Sequence, residues 1–151
     1  MKTNSKIAIT GLALALTCAF SISARDHSEL NGTWTMLPAK SDFAGQPVVK
    51  TGTVTIHDSD GDIVVSRSFK YEGATESFFY RESTDGEHGD TFHSGKDLKS
   101  KTTWEHNVLV VKTTQSGAVM IESYSLAADG TMIDSVTSPN HKPIILVFQR
   151  Q

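Results

Sequence analysis

Pairs of turn-forming residues punctuate this chain at nearly even intervals. After Pro47 they fall at Asp60-Gly61, Glu72-Gly73, Asp85-Gly86, Ser94-Gly95, His106-Asn107, Ser116-Gly117, Asp129-Gly130 and Pro139-Asn140, with gaps of 12, 13, 9, 12, 10, 13 and 10 residues. Gly, Asn and Asp tolerate the positive φ that tight hairpins demand. Turns so spaced read as antiparallel strands joined in sequence.

The segments between the turns agree. TGTVTIH, DIVVSRSF, ATESFFYRES, KTTWE, VLVVKTT, AVMIESYSL, TMIDSVT and IILVFQ are rich in β-branched and aromatic residues, which suit a pleated, half-buried surface. No segment after residue 24 carries an apolar stripe at helical period, and only a short turn is expected around Pro38 to Phe43. A meander of 8 to 10 strands leaves two open edges that invite aggregation. Closing it into an up-and-down barrel removes them. The expected fold is therefore an all-β antiparallel meander closed into a barrel, with a two-sheet sandwich as the alternative.

The N-terminal residues read as a secretory signal. Lys2 and Lys6 precede the apolar run Ile7 to Phe20, and Ser21-Ile22-Ser23-Ala24 offers the small residues of a cleavage site. The run is shorter than the roughly 20 residues a spanning helix needs. The expected organisation is a signal peptide over 1–24 and one domain over 25–151, delivered to the periplasm or the extracellular space. Lipid attachment at Cys18 is an open alternative, although Ala15-Leu16-Thr17 fits an acylation site poorly. Cleavage after Ala24 removes the one cysteine, so burial rather than a disulfide must stabilise the domain.

Without Lys2 and Lys6 the chain carries 12 basic and 17 acidic residues, a charge of 12 − 17 = −5. Its basic residues form no run longer than the spaced Lys96, Lys99 and Lys101. A nucleic-acid footprint and attraction to anionic membranes are therefore both unsupported.

The stretch LNGTWTMLPAKSDF, residues 30 to 43, carries a resemblance. Gly32-Thr33-Trp34 on the first strand resembles the Gly-x-Trp signature of lipocalins and fatty-acid-binding proteins, the calycin-like barrels. The longer pattern through Pro38-Ala39-Lys40-Ser41-Asp42-Phe43 is similar to small secreted bacterial proteins called lipocalin-like. The resemblance implies a barrel floor built from Gly32, Trp34 and Arg150, with the Trp plugging the closed end and an Arg of the last strand across its ring. It does not carry fatty-acid chemistry with it. Only about ten residues lie between Leu37 and Val48, too few for a two-helix lid, and the Arg-x-Tyr pair that holds a fatty-acid carboxylate has no match.

If the barrel is hollow, alternating positions line it. The candidate ligand contacts are Arg67, Phe69, Phe78, Tyr80, Arg81, Trp104 and Tyr124. Arg67 and Arg81 sit in rows that also hold aromatics, and an Arg in an apolar cup pairs a carboxylate well. The competing reading has both facing water or paired with Glu76 or Glu82 across strands.

Metal and catalytic readings are weaker. Asp58, Asp60 and Asp62 mimic the start of a calcium loop, but Ile63 and Phe69 stand where Gly and Glu belong. His88, Asp90 and His93 read as loop residues without zinc-ligand spacing. There is no Gly-x-Ser-x-Gly elbow and no glycine-rich phosphate loop. The expectation is a non-catalytic exported barrel, without metal or cofactor, for a small apolar or amphipathic molecule. The alternatives are a protein-interaction module of the enzyme-inhibitor kind, whose protein partner the sequence does not identify, and an envelope factor with a filled interior.

Overall fold

In the computed structural model the described residues are 27–59, 62–83, 89–93 and 96–151, with the backbone alone for 82, 83, 89–93, 96 and 97. The expected signal at 1–24, with Cys18, lies outside them. So do His88 and the turns at Asp60-Gly61, Asp85-Gly86 and Ser94-Gly95.

Ten strands follow one another: β1 Gly32–Met36, β2 Thr51–Ser59, β3 Asp62–Lys70, β4 Thr75–Ser83, β5 Gly89–His93, β6 Lys96–Glu105, β7 Val108–Gln115, β8 Ala118–Leu126, β9 Met132–Thr137 and β10 Ile144–Arg150. Each pairs antiparallel with its neighbours in sequence, and β1 also pairs with β10, so the barrel is closed. Met36 stands opposite Phe148, Trp34 opposite Arg150, and the Leu37 amide donates to the Val147 carbonyl at 2.7 Å. Closure leaves neither β1 nor β10 an open edge.

The turn chemistry explains the register. The two residues between β7 and β8, Ser116 and Gly117, both take positive φ (50° and 81°), the requirement of a two-residue hairpin whose twist matches its strands. The reading of His93 as a loop residue is corrected, since it ends β5, which is paired to β4 and β6. The strand is short and lacks a row of β-branched residues, so periodicity could not reveal it.

Between β1 and β2 a single 3-10 turn, Pro38–Lys40, replaces a lid. Ser41 and Asp42 tie it to β10. The Ser41 hydroxyl accepts from the Val147 amide at 3.0 Å, while Asp42 and Ile145 exchange backbone hydrogen bonds at 2.8 Å. The following Phe43 is thereby held against the core.

Alternation decides what faces inward. Trp34 and Met36, Val54 and Ile56, Ile63, Val65 and Phe69, Phe78 and Tyr80, Leu109 and Val111, Tyr124, Met132, Leu146 and Phe148 form one buried cluster. Phe79 and Ile121, on the opposite parity, are exposed. Among the described residues four polar side chains are also buried on the inner face: Thr102, Thr113, Glu122 and Asp134.

Candidate ligand-binding site

The two ends of the barrel differ. At one end the Trp34 indole is fully buried and donates through Nε1 to the Leu30 carbonyl at 2.9 Å. The Arg150 guanidinium lies over the same ring, 4.4 Å from its centroid, and donates to the carbonyls of Asn31 and Glu29. Gly32 has φ +131°, and a Cβ there would come within 2.9 Å of the Arg150 guanidinium. This end is therefore sealed, with Gly32 leaving the space that Arg150 fills.

Trp104 belongs to the closed end. Its ring stacks on His27 at 3.9 Å between centroids and borders a separate pocket with Leu30, Val108 and Leu126. It does not reach the cavity at the other end.

That second cavity, about 480 Å³, occupies the mouth of the barrel. Phe43, Pro47 and Val49 from the β1–β2 connection, Phe69, Phe78, Ile144 and Leu146 from the strands, and Tyr71 beside the β3–β4 turn give it mainly apolar walls. Its inner limit is Arg67 on β3. The guanidinium carbon stands 4.4 Å from the Phe78 ring centroid and 5.2 Å from that of Phe69. Arg67 forms an ion pair with Glu122 on β8 across the interior, with 11% and 1% side-chain exposure respectively. Arg67 thus pairs across the barrel with Glu122 and not with Glu76.

Behind Arg67 lies a polar layer. Tyr80 and Tyr124 are fully buried there. Tyr124 stands opposite Asp134, whose two carboxylate oxygens have no hydrogen-bond partner among the described residues. Burial pushes the Asp134 carboxyl up to about 7, against a smaller pull downward from Arg67. Burial also pushes the Tyr124 phenol well up, helped by the Asp134 carboxylate. At the mouth, Tyr71 is raised by burial first and by Glu76 second.

Of the seven candidate contacts, Arg67, Phe69 and Phe78 line the mouth cavity, and Tyr80 and Tyr124 sit in the layer behind it. Arg81 requires correction. Its parity on β4 puts it outside the barrel, where it meets Asp62 at 3.2 Å with 62% of its side chain exposed. Asp62 is therefore an ion-pair partner on the surface. Sequence reasoning missed Glu122 and Asp134. The signal available was their position in otherwise apolar alternating rows, Met120-x-Glu122-x-Tyr124 and Met132-x-Asp134-x-Val136.

No protein-family model matches the chain, and no curated protein does. Solved structures do. The fluorescent protein UnaG superposes with a TM-score of 0.67 at 20% identity, covering 82% of this chain and 98% of that one. A Schistosoma mansoni fatty-acid-binding protein in complex with arachidonic acid gives 0.62 at 17%, covering 83% and 98%. Secretory abundant heat soluble protein 4 from Ramazzottius varieornatus gives 0.63 at 16%, covering 82% and 96%. The fold is that of the calycin-like barrels.

Proposed function

We propose that the protein is an exported, non-catalytic barrel that takes a small apolar or amphipathic molecule into its mouth cavity. One observation carries this reading: a cavity of about 480 Å³ with mainly apolar walls, ending on a buried ion pair. Ligand sites generally have about 300–1,000 Å³, apolar walls and a few placed polar groups. The match to a fatty-acid-binding protein holding arachidonic acid supports a barrel with room for a lipid-sized guest. Export rests on the N-terminal sequence.

The test is native mass spectrometry of gently purified protein, together with titration of an environment-sensitive apolar dye. An adduct of lipid-like mass, or dye fluorescence that rises to saturation and is weakened by Phe78→Ala, is expected. A bare mass combined with no dye response would overturn the reading and favour an interior without a ligand.

A further inference from the structure

Resting on the binding reading above, we infer that the ligand's polar end is an uncharged group that both donates and accepts hydrogen bonds, such as an alcohol or primary amide, and not a carboxylate. Three observations lead there.

First, the charge of Arg67 is already answered. It is the one guanidinium or ammonium in the cavity lining among the described residues, and Glu122 opposes it from a position with 1% exposure. A ligand carboxylate would either draw Arg67 away and leave Glu122 buried and uncompensated, a change that costs more than the new pair returns, or share the one guanidinium with Glu122 as a second anion beside the first.

Second, the interior holds more carboxylate than cation. Glu122 and Asp134 are both buried on the inner face, and Glu76 adds a third carboxylate at the mouth. One guanidinium faces them. Another anion beside these groups would add repulsion, with Arg67 already paired to Glu122.

Third, the buried carboxylates Glu122 and Asp134 lie behind Arg67, and of the three only Glu76 lines the cavity. A protonated amine descending the cavity meets the guanidinium before it reaches Glu122 or Asp134, so of the excess acid it gains only Glu76 while it faces the Arg67 charge. A hydroxyl or amide oxygen accepts from the Arg67 N–H groups, while its own hydrogen goes to Glu76, which lines the same cavity. Such a head leaves the ion pair intact.

The experiment is displacement of the apolar dye from the purified protein by decanol, decanoate and decylammonium at about pH 8, where both ions are charged. The three share one tail, so their ranking reports the head. Decanol is expected to bind at least roughly tenfold more tightly than either ion. Decanoate or decylammonium binding as tightly as decanol would overturn the inference and leave the binding reading standing. No response to the dye or to any of the three would overturn the binding reading itself. Glu122→Gln frees Arg67 and is expected to raise decanoate affinity relative to that of decanol roughly tenfold. Unchanged relative affinity in a folded variant would also overturn the inference. If that variant fails to fold, the ranking on the unaltered protein decides.

Discussion

Arg150, the next-to-last residue, lies across the face of Trp34 on the first strand, its guanidinium carbon 4.4 Å from the ring centroid. The contact joins the first and last strands at the closed base of the barrel. Trp34 carries most of its value as buried area and a satisfied indole N–H. Trp34→Ala is expected to lower unfolding free energy by about 3–5 kcal/mol, as loss of a buried aromatic does. Arg150→Ala, which removes an exposed cation from the ring and from two carbonyls, should cost about 1–2 kcal/mol. Urea denaturation of both variants checks the ranking.

The Arg67–Glu122 pair gives a sharper expectation. Breaking a buried pair from one side strands a charge, which costs about 3–5 kcal/mol, whereas replacing both partners by apolar groups is often close to neutral. Arg67→Met and Glu122→Leu should each destabilise by that amount, and the double variant should recover most of the loss. A double variant as unstable as the sum of the singles would show that the two residues are not coupled.

The base of the barrel was more legible in the sequence than its interior. Gly32, Trp34 and Arg150 could be named together because a short local motif carries a resemblance, and the hairpin rhythm of the turn pairs pointed to strands and closure. Arg67 and Glu122 had no such help. They sit on β3 and β8, and their meeting depends on which parity of each strand faces inward and which strands lie across the barrel. Alternation along one strand yields two rows but not the identity of the inner one. Arg81 shows the same limit from the other side, since its row holds Phe79 as Arg67's row holds Phe69, yet it faces solvent. β5 escaped because a five-residue strand with Gly89 and Asp90 has too little pattern to read.

Asp134 predicts an unusual pH dependence. Its carboxyl releases a proton near the ordinary value of 3.8 in the unfolded chain and at about 7 in the folded barrel. The folded state therefore binds this proton more tightly. The stability it supplies is complete below about 3.8, falls as pH rises toward 7, and is gone above 7. At 1.36 kcal/mol per unit the whole effect is at most roughly 4 kcal/mol. Asp134→Asn should remove this slope, leaving the variant more stable than the unaltered protein at about pH 8 and close to it at about pH 4. Urea midpoints at a series of pH values measure the difference curve, in which the other carboxylates cancel. Parallel curves would mean that Asp134 titrates normally.

Gly52 links packing to the cavity. It lies on β2 opposite Phe69, and a Cβ added there would come within 2.9 Å of both the Met36 methyl and the Phe69 ring. The methionine can yield. The Phe69 ring, stacked near Phe148 and under the Arg67 guanidinium, has its open direction toward the mouth cavity it lines. Gly52→Ala should therefore do two things at once: destabilise by about 1–3 kcal/mol through overpacking and weaken dye binding by shrinking the cavity. Gly73→Ala separates these effects. Gly73 has φ +79°, and a Cβ there would meet nothing within 4 Å, so alanine costs about 1 kcal/mol in backbone strain and should leave dye affinity unchanged. Equal dye affinity in the two variants would show that the ring of Phe69 does not shape the binding space.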